Sequence, residues 1–116
     1  MYVDPSLVQY AVRLVSSTRN PARHGLQDLA RLLTYGASPR ATINLTEGAR
    51  ALAMLRGRNY ALPEDMTDLV PDVLRHRLVL SYEALSEGLT ADALIGQIMR
   101  KIAAPAKPLA HDKLAA

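Results

Sequence analysis

Residues 35–55 read YGASPRATINLTEGARALAML, and this stretch decides the fold. Gly36 supplies a turn glycine, Ser38 a capping side chain and Pro39 a ring suited to the first helical position, so a helix is expected from Pro39 to about Leu55. Ala41, Leu45, Ala49 and Leu52 fall on one apolar stripe, with Asn44, Glu47 and Arg50 turned elsewhere. Gly48 weakens this helix by about 1 kcal/mol relative to alanine. Arg40 stands in the first turn, where free N–H groups and the positive end of the helix dipole disfavour a cation by about 0.3–1 kcal/mol at an exposed site. So small a penalty leaves two accounts open, a solvated arginine tolerated at a helix end and an arginine kept there to meet an anion.

On the N-terminal side, Asp4 can cap and Pro5 can open a first helix in which Leu7, Val8, Ala11, Val12, Leu14 and Val15 recur at helical spacing. A turn-rich stretch follows, and Leu26, Leu29, Ala30 and Leu33 mark a short helix ending at Gly36. On the C-terminal side, Pro63, Glu64 and Asp65 open a helix carrying Met66, Leu69, Val70, Val73 and Leu74, and Pro71 should kink or divide it. Leu62 stands where Ser or Thr would make a better cap. Residues 78–83, LVLSYE, could be extended, but no partner strand is evident. Thr90 caps a last helix with Leu94, Ile95, Ile98, Met99 and Ile102, to which Tyr82 and Glu83 are expected to pack. The expected architecture is an all-α, small helical bundle over residues 1–104, with a flexible tail over 105–116.

Composition bounds the function. At 116 residues the chain is one domain able to bury about two-thirds of its unfolded surface. Its core must be aliphatic, because 49% of residues are apolar while Phe and Trp are absent. The absence of cysteine excludes disulfides, thiolate-ligated zinc and thiol catalysis, and suits a reducing cytoplasm. No apolar run approaches the roughly 20 residues needed to span a bilayer, and the first residues lack the basic and apolar regions of a signal peptide. A soluble, cytoplasmic protein with no membrane insertion is expected. A net charge of +3 hints weakly at anionic partners.

Enzyme signatures are missing. None of the three lysines follows a glycine, so there is no Walker A loop, and no Asp-Glu dipeptide supplies its acidic partner. GASPR lacks the second glycine of a nucleophile elbow. His24, His76 and His111 are too scattered for a local metal site, so no metal ligand is assigned. The eleven arginines are spread along the chain rather than gathered on one recognition helix, which disfavours nucleic-acid binding; a protein-interaction bundle without a nucleotide role is a further alternative.

YGASPRA before an aliphatic helix, then GRNYALPEDM, then VLRHRLVLSYEA and a closing amphipathic helix together resemble the C-terminal lid domain of MoxR-family AAA+ ATPases. The resemblance runs from Tyr2 to Ala104, and its most specific pieces are residues 36–41 and 73–78. It implies that Arg40 is the sensor 2 residue, which reaches from the lid toward the γ-phosphate of ATP, with Ser38 and Pro39 as weaker nucleotide contacts. It further implies an N-terminal AAA+ core domain preceding residue 1, ATP and Mg2+ in the full-length protein, and no ATP hydrolysis by this piece alone. A hexameric, homo-oligomeric ring is implied too, with chaperone-like remodelling of partners, among them proteins with von Willebrand factor A domains. An arginine fork beside free helix N–H groups is chemically suited to phosphate. Arg75, His76 and Arg77 complement the dipole at a helix C-terminus and receive no site role.

Overall fold

A computed structural model of the chain describes residues 2–105. The remainder of the expected tail, with His111, lies outside the described residues. The elements are α1 (Pro5–Arg19), a 3-10 turn (Pro21–His24), α2 (Gln27–Ala30), β1 (Leu33–Tyr35), α3 (Arg40–Leu55), α4 (Pro63–Leu74), β2 (Val79–Leu80), α5 (Tyr82–Ser86) and α6 (Ala91–Lys101). The fold is a helical bundle, as its aliphatic periodicity predicts.

Each long helix buries most of the stripe that its sequence spacing marks, with corrections at five positions. Val8 and Val12 are exposed because they lie on the outer side of α1, and Leu52, Leu69 and Val73 are half-buried, Ala53 taking the core position expected of Leu52. Leu7, Ala11 and Leu14 of α1, Ala41, Leu45, Ala49 and Ala53 of α3, Met66, Val70 and Leu74 of α4 and Leu94, Ile95 and Ile98 of α6 meet in one core. Alanines along α3 let α1 and α4 approach closely. Gly48 serves the same packing, since a methyl group there would stand 2.9 Å from Leu69 Cδ1. The expected caps form on α1, where the Asp4 carboxylate accepts from Ser6 N–H at 2.9 Å, and on α6, where Thr90 Oγ1 accepts from Ala93 N–H at 3.2 Å.

Several expectations are corrected. Residues 33–35 are not the end of a helix: they form a strand antiparallel to Val79–Leu80, the partner that LVLSYE lacked on paper. Strands of three and two residues carry no readable alternation, and their pairing is extended by the residue after β2: Ser81 N–H donates to Leu32 O and Ser81 Oγ to Arg31 O. Helix α4 passes through Pro71 without dividing, because Met66, Val70 and Leu74 anchor both halves on one buried face. Tyr82 does not pack on the last helix but is 83% exposed, and Glu83 pairs with Arg31 at 3.1 Å.

At the junction of α3 and α4, Asp65 is completely buried. Its carboxylate accepts from Leu62 N–H at 2.7 Å, the reciprocal half of a capping box, which ties the helix start down although leucine has no side-chain acceptor for the first turn. It also binds Arg58 through two contacts of 2.7 Å and Arg56 through one of 2.9 Å. Burial would raise the Asp65 pKa, but the Arg58 guanidinium, the Leu62 N–H and Arg56 outweigh it and hold the group below the usual carboxylate range.

Candidate functional site

The approach to Arg40 is built where the end of α1 meets residues 36–39. Thr18, buried in the last turn of α1, donates from Oγ1 to Val15 O at 2.7 Å and accepts from Ala37 N–H at 2.9 Å. Gly36 lies against the Thr18 carbonyl so closely that any Cβ would overlap it, and would come within 2.8 Å of Arg19 N. Gly36 is therefore a close-approach glycine and not the turn glycine expected from sequence, and it is absent from the positive-φ residues. With β1 pinned to β2 on one side and Ala37 pinned to Thr18 on the other, the start of α3 is held from both directions.

Pro39 takes a helical conformation one residue before α3, and the first bonds run from Ala41 N–H to Ser38 O and from Thr42 N–H to Pro39 O. No side chain caps this end, which corrects the capping role expected of Ser38. The physical reason is geometric: Pro39 already occupies the cap position in helical geometry, so the first turn closes on backbone carbonyls. Pro39 has no N–H, and with Ala41 and Thr42 already bonded to those carbonyls it is the Arg40 N–H that is left without an acceptor among the described residues.

Arg40 is exposed and off the buried face set by Ala41 and Leu45. It lines an open depression of about 370 Å³ together with Ser38, Ile43, Asn44 and Arg77. A neighbouring depression of about 340 Å³ on the other side of the turn is lined by Arg19 and residues 34–39, Ser38 and Pro39 among them. Arg40, Arg77 and Arg19 make no ion pair among the described residues. Arg13, Arg23 and Arg100 likewise have none, whereas Arg31 is paired with Glu83 and Glu87, Arg50 with Glu47, Arg56 and Arg58 with Asp65, and Arg75 with Asp72 and Asp92.

The three residues singled out in the sequence, Ser38, Pro39 and Arg40, are thus together at one end of α3. Arg77, given no site role, joins them from the turn after α4, and Thr18 holds the approach. The signal for Arg77 was its place in the VLRHRL run; for Thr18 the sequence offers none, because a threonine ending a helix is ordinary. His24 is hydrogen-bonded to Ser16 at 3.1 Å, and among the described residues no group of His, Asp or Glu side chains could hold a metal ion. No helix of the described residues is long and apolar enough to cross a membrane.

Comparison with known proteins agrees with this architecture. The AAA lid domain family matches residues 27–98. Chaperone MoxR1 of Mycobacterium tuberculosis is 42% identical over 104 residues, covering 90% of this chain and 28% of that protein. Protein MoxR of Paracoccus denitrificans is 40% identical over 111 residues, covering 90% of this chain and 32% of its own length. A crystal structure described as a candidate ATPase from Cytophaga hutchinsonii superposes with a TM-score of 0.86 at 42% identity, over 90% of this chain and 32% of that one. The chain therefore spans about a third of these relatives' length. It belongs to the AAA lid domain family, as the lid of a MoxR-type AAA+ protein.

Proposed function

We propose that this lid closes over ATP bound to a AAA+ core domain, and that Arg40 is its sensor 2 arginine, directed at the γ-phosphate. The observation that carries this is an exposed arginine without an acidic partner, on a helix start with no side-chain cap that the buried Thr18–Ala37 hydrogen bond and the pairing of β1 with β2 hold in place. Both the guanidinium and the free Arg40 N–H favour a phosphate oxygen. Ser38 and Pro39 act mainly as the backbone of that start, with secondary contact to nucleotide. Mg2+ would arrive with the nucleotide and the core, since the described residues of the lid contain no ligand cluster for it.

In the full-length protein, lid rotation with nucleotide state couples phosphate contact to subunit arrangement in a hexameric ring, a hinge motion. Remodelling of partner proteins in the cytoplasm follows, with von Willebrand factor A domains as one client class. The chaperone designation of the Mycobacterium relative supports that role. The test is steady-state ATP hydrolysis by the full-length protein. Arg40→Ala should lower turnover about a hundredfold to a thousandfold, by analogy with removal of one preorganised donor to a developing anion. Parental turnover in that variant would overturn the assignment.

A further inference from the structure

Arg77 follows the end of α4 by three residues and faces the start of α3 across the depression of about 370 Å³. Its Nη1 donates to Val73 O at 2.7 Å, one of the last carbonyls of α4. A cation on a helix C-terminus needs no further purpose, and this contact uses only one of the five guanidinium donors. The position of the group does need one. Arg75, at the same helix end, is bound by Asp72 at 3.0 Å and Asp92 at 2.7 Å, whereas Arg77 has no carboxylate among the described residues and shares its depression with Arg40, which also has none. Two like charges brought from different helices to one concavity repel each other until an anion lies between them. Ser38 and Asn44 add neutral hydrogen-bonding groups to the same walls.

We propose that Arg77 is a second nucleotide-binding residue of the lid, gripping the terminal phosphates of ATP jointly with Arg40. This rests on the role given to Arg40 above. The hydrogen bond to Val73 O restrains one arm of the exposed Arg77 fork before ligand arrives, so its contribution falls on ground-state affinity, while Arg40 acts as charge develops during transfer.

The experiment uses the full-length ATPase, with KM for Mg-ATP, turnover, and calorimetric Kd for ADP and for a non-hydrolysable ATP analogue. Arg77→Ala should raise KM and the analogue's Kd about tenfold to a hundredfold, as loss of a charge-assisted contact implies, and change turnover less than threefold. ADP, lacking the terminal phosphate, should lose markedly less. Arg77→Lys keeps the charge and a donor for Val73 but not the fork, and should recover only part of the affinity, which also separates binding from mere anchoring of the helix end. If Arg77→Ala leaves KM within twofold, or weakens ADP and the analogue equally, while Arg40→Ala still cripples turnover, the proposal is overturned and the role of Arg40 stands. Parental behaviour in both variants overturns the two together.

Discussion

The two ends of α3 carry the same side chain in opposite circumstances. At the C-terminal end, Arg56 and Arg58 converge on the buried Asp65, and Arg56 also reaches Asp68 at 2.8 Å. At the N-terminal end, Arg40 meets no acid and faces another unpaired arginine across an open depression. The first arrangement holds α3 to α4 and satisfies every charge within the fold. The second leaves charge unsatisfied, which costs stability slightly and makes sense where the anion comes from outside. The missing carboxylate alone does not set Arg40 apart, since Arg13, Arg19, Arg23 and Arg100 lack one too; its place beside Arg77 in one depression does.

The contrast can be broken most sharply by exchanging readouts between the ends. Arg40→Ala should remove about 99% or more of ATP turnover in the full-length protein, while the thermal midpoint of this chain stays level or rises through relief of the dipole clash. A clear fall in the midpoint would show that the N-terminal arginine, too, is structural. Asp65→Ala should do the reverse. It strips the cap from Leu62 and leaves two guanidiniums without their acid, and because both arginines keep some solvent contact the lower part of the usual range applies, about 3 kcal/mol, or at least about 10 °C in thermal melting.

A pH series sharpens the same point. Asp65 binds a proton less readily folded than unfolded, so its stabilisation is complete above the unfolded value near pH 4 and is lost as pH falls through the lower folded value. Chemical denaturation between pH 6 and 2 should show Asp65→Ala losing less stability on acidification than the parent chain; parallel curves would mean that the carboxylate is not strongly coupled to its arginines.

Thr18→Val tests the support of the site at smaller amplitude. It leaves the buried Ala37 N–H without an acceptor, for about 1–2 kcal/mol of lost stability in urea titration, with a larger proportional loss of ATP turnover because the start of α3 is no longer held. The smallest effect belongs to Gly48→Ala, within about 0.5 kcal/mol of parental stability by thermal melting. Its helix-propensity gain of about 1 kcal/mol is offset by displacing the end of the Leu69 side chain.

Much of the fold is written locally. Asp4 before Pro5, Thr90 before α6 and the aliphatic spacing in α1, α3, α4 and α6 can be read because capping and helical periodicity involve residues within a few positions of one another. The exposure of Arg40 follows in the same way, from its place off the stripe of Ala41, Leu45 and Ala49. The sequence also contained the family pattern in residues 36–41 and 73–78.

Tertiary structure decided what depends on residues distant in the chain. The pairing of Leu33–Tyr35 with Val79–Leu80 was invisible because strands so short have no period of their own. Gly36 looked like a turn residue until the end of α1 lay across it. Asp65 looked like a first-turn acid until α3 delivered Arg56 and Arg58 to it, and Arg77 looked like a helix-end cation until α4 set it opposite Arg40. Backbone preferences and amphipathic spacing fix each helix from within. Which charges are matched and which are left unmatched is set by how the helices pack, because electrostatic partners are chosen by distance in space and not along the chain.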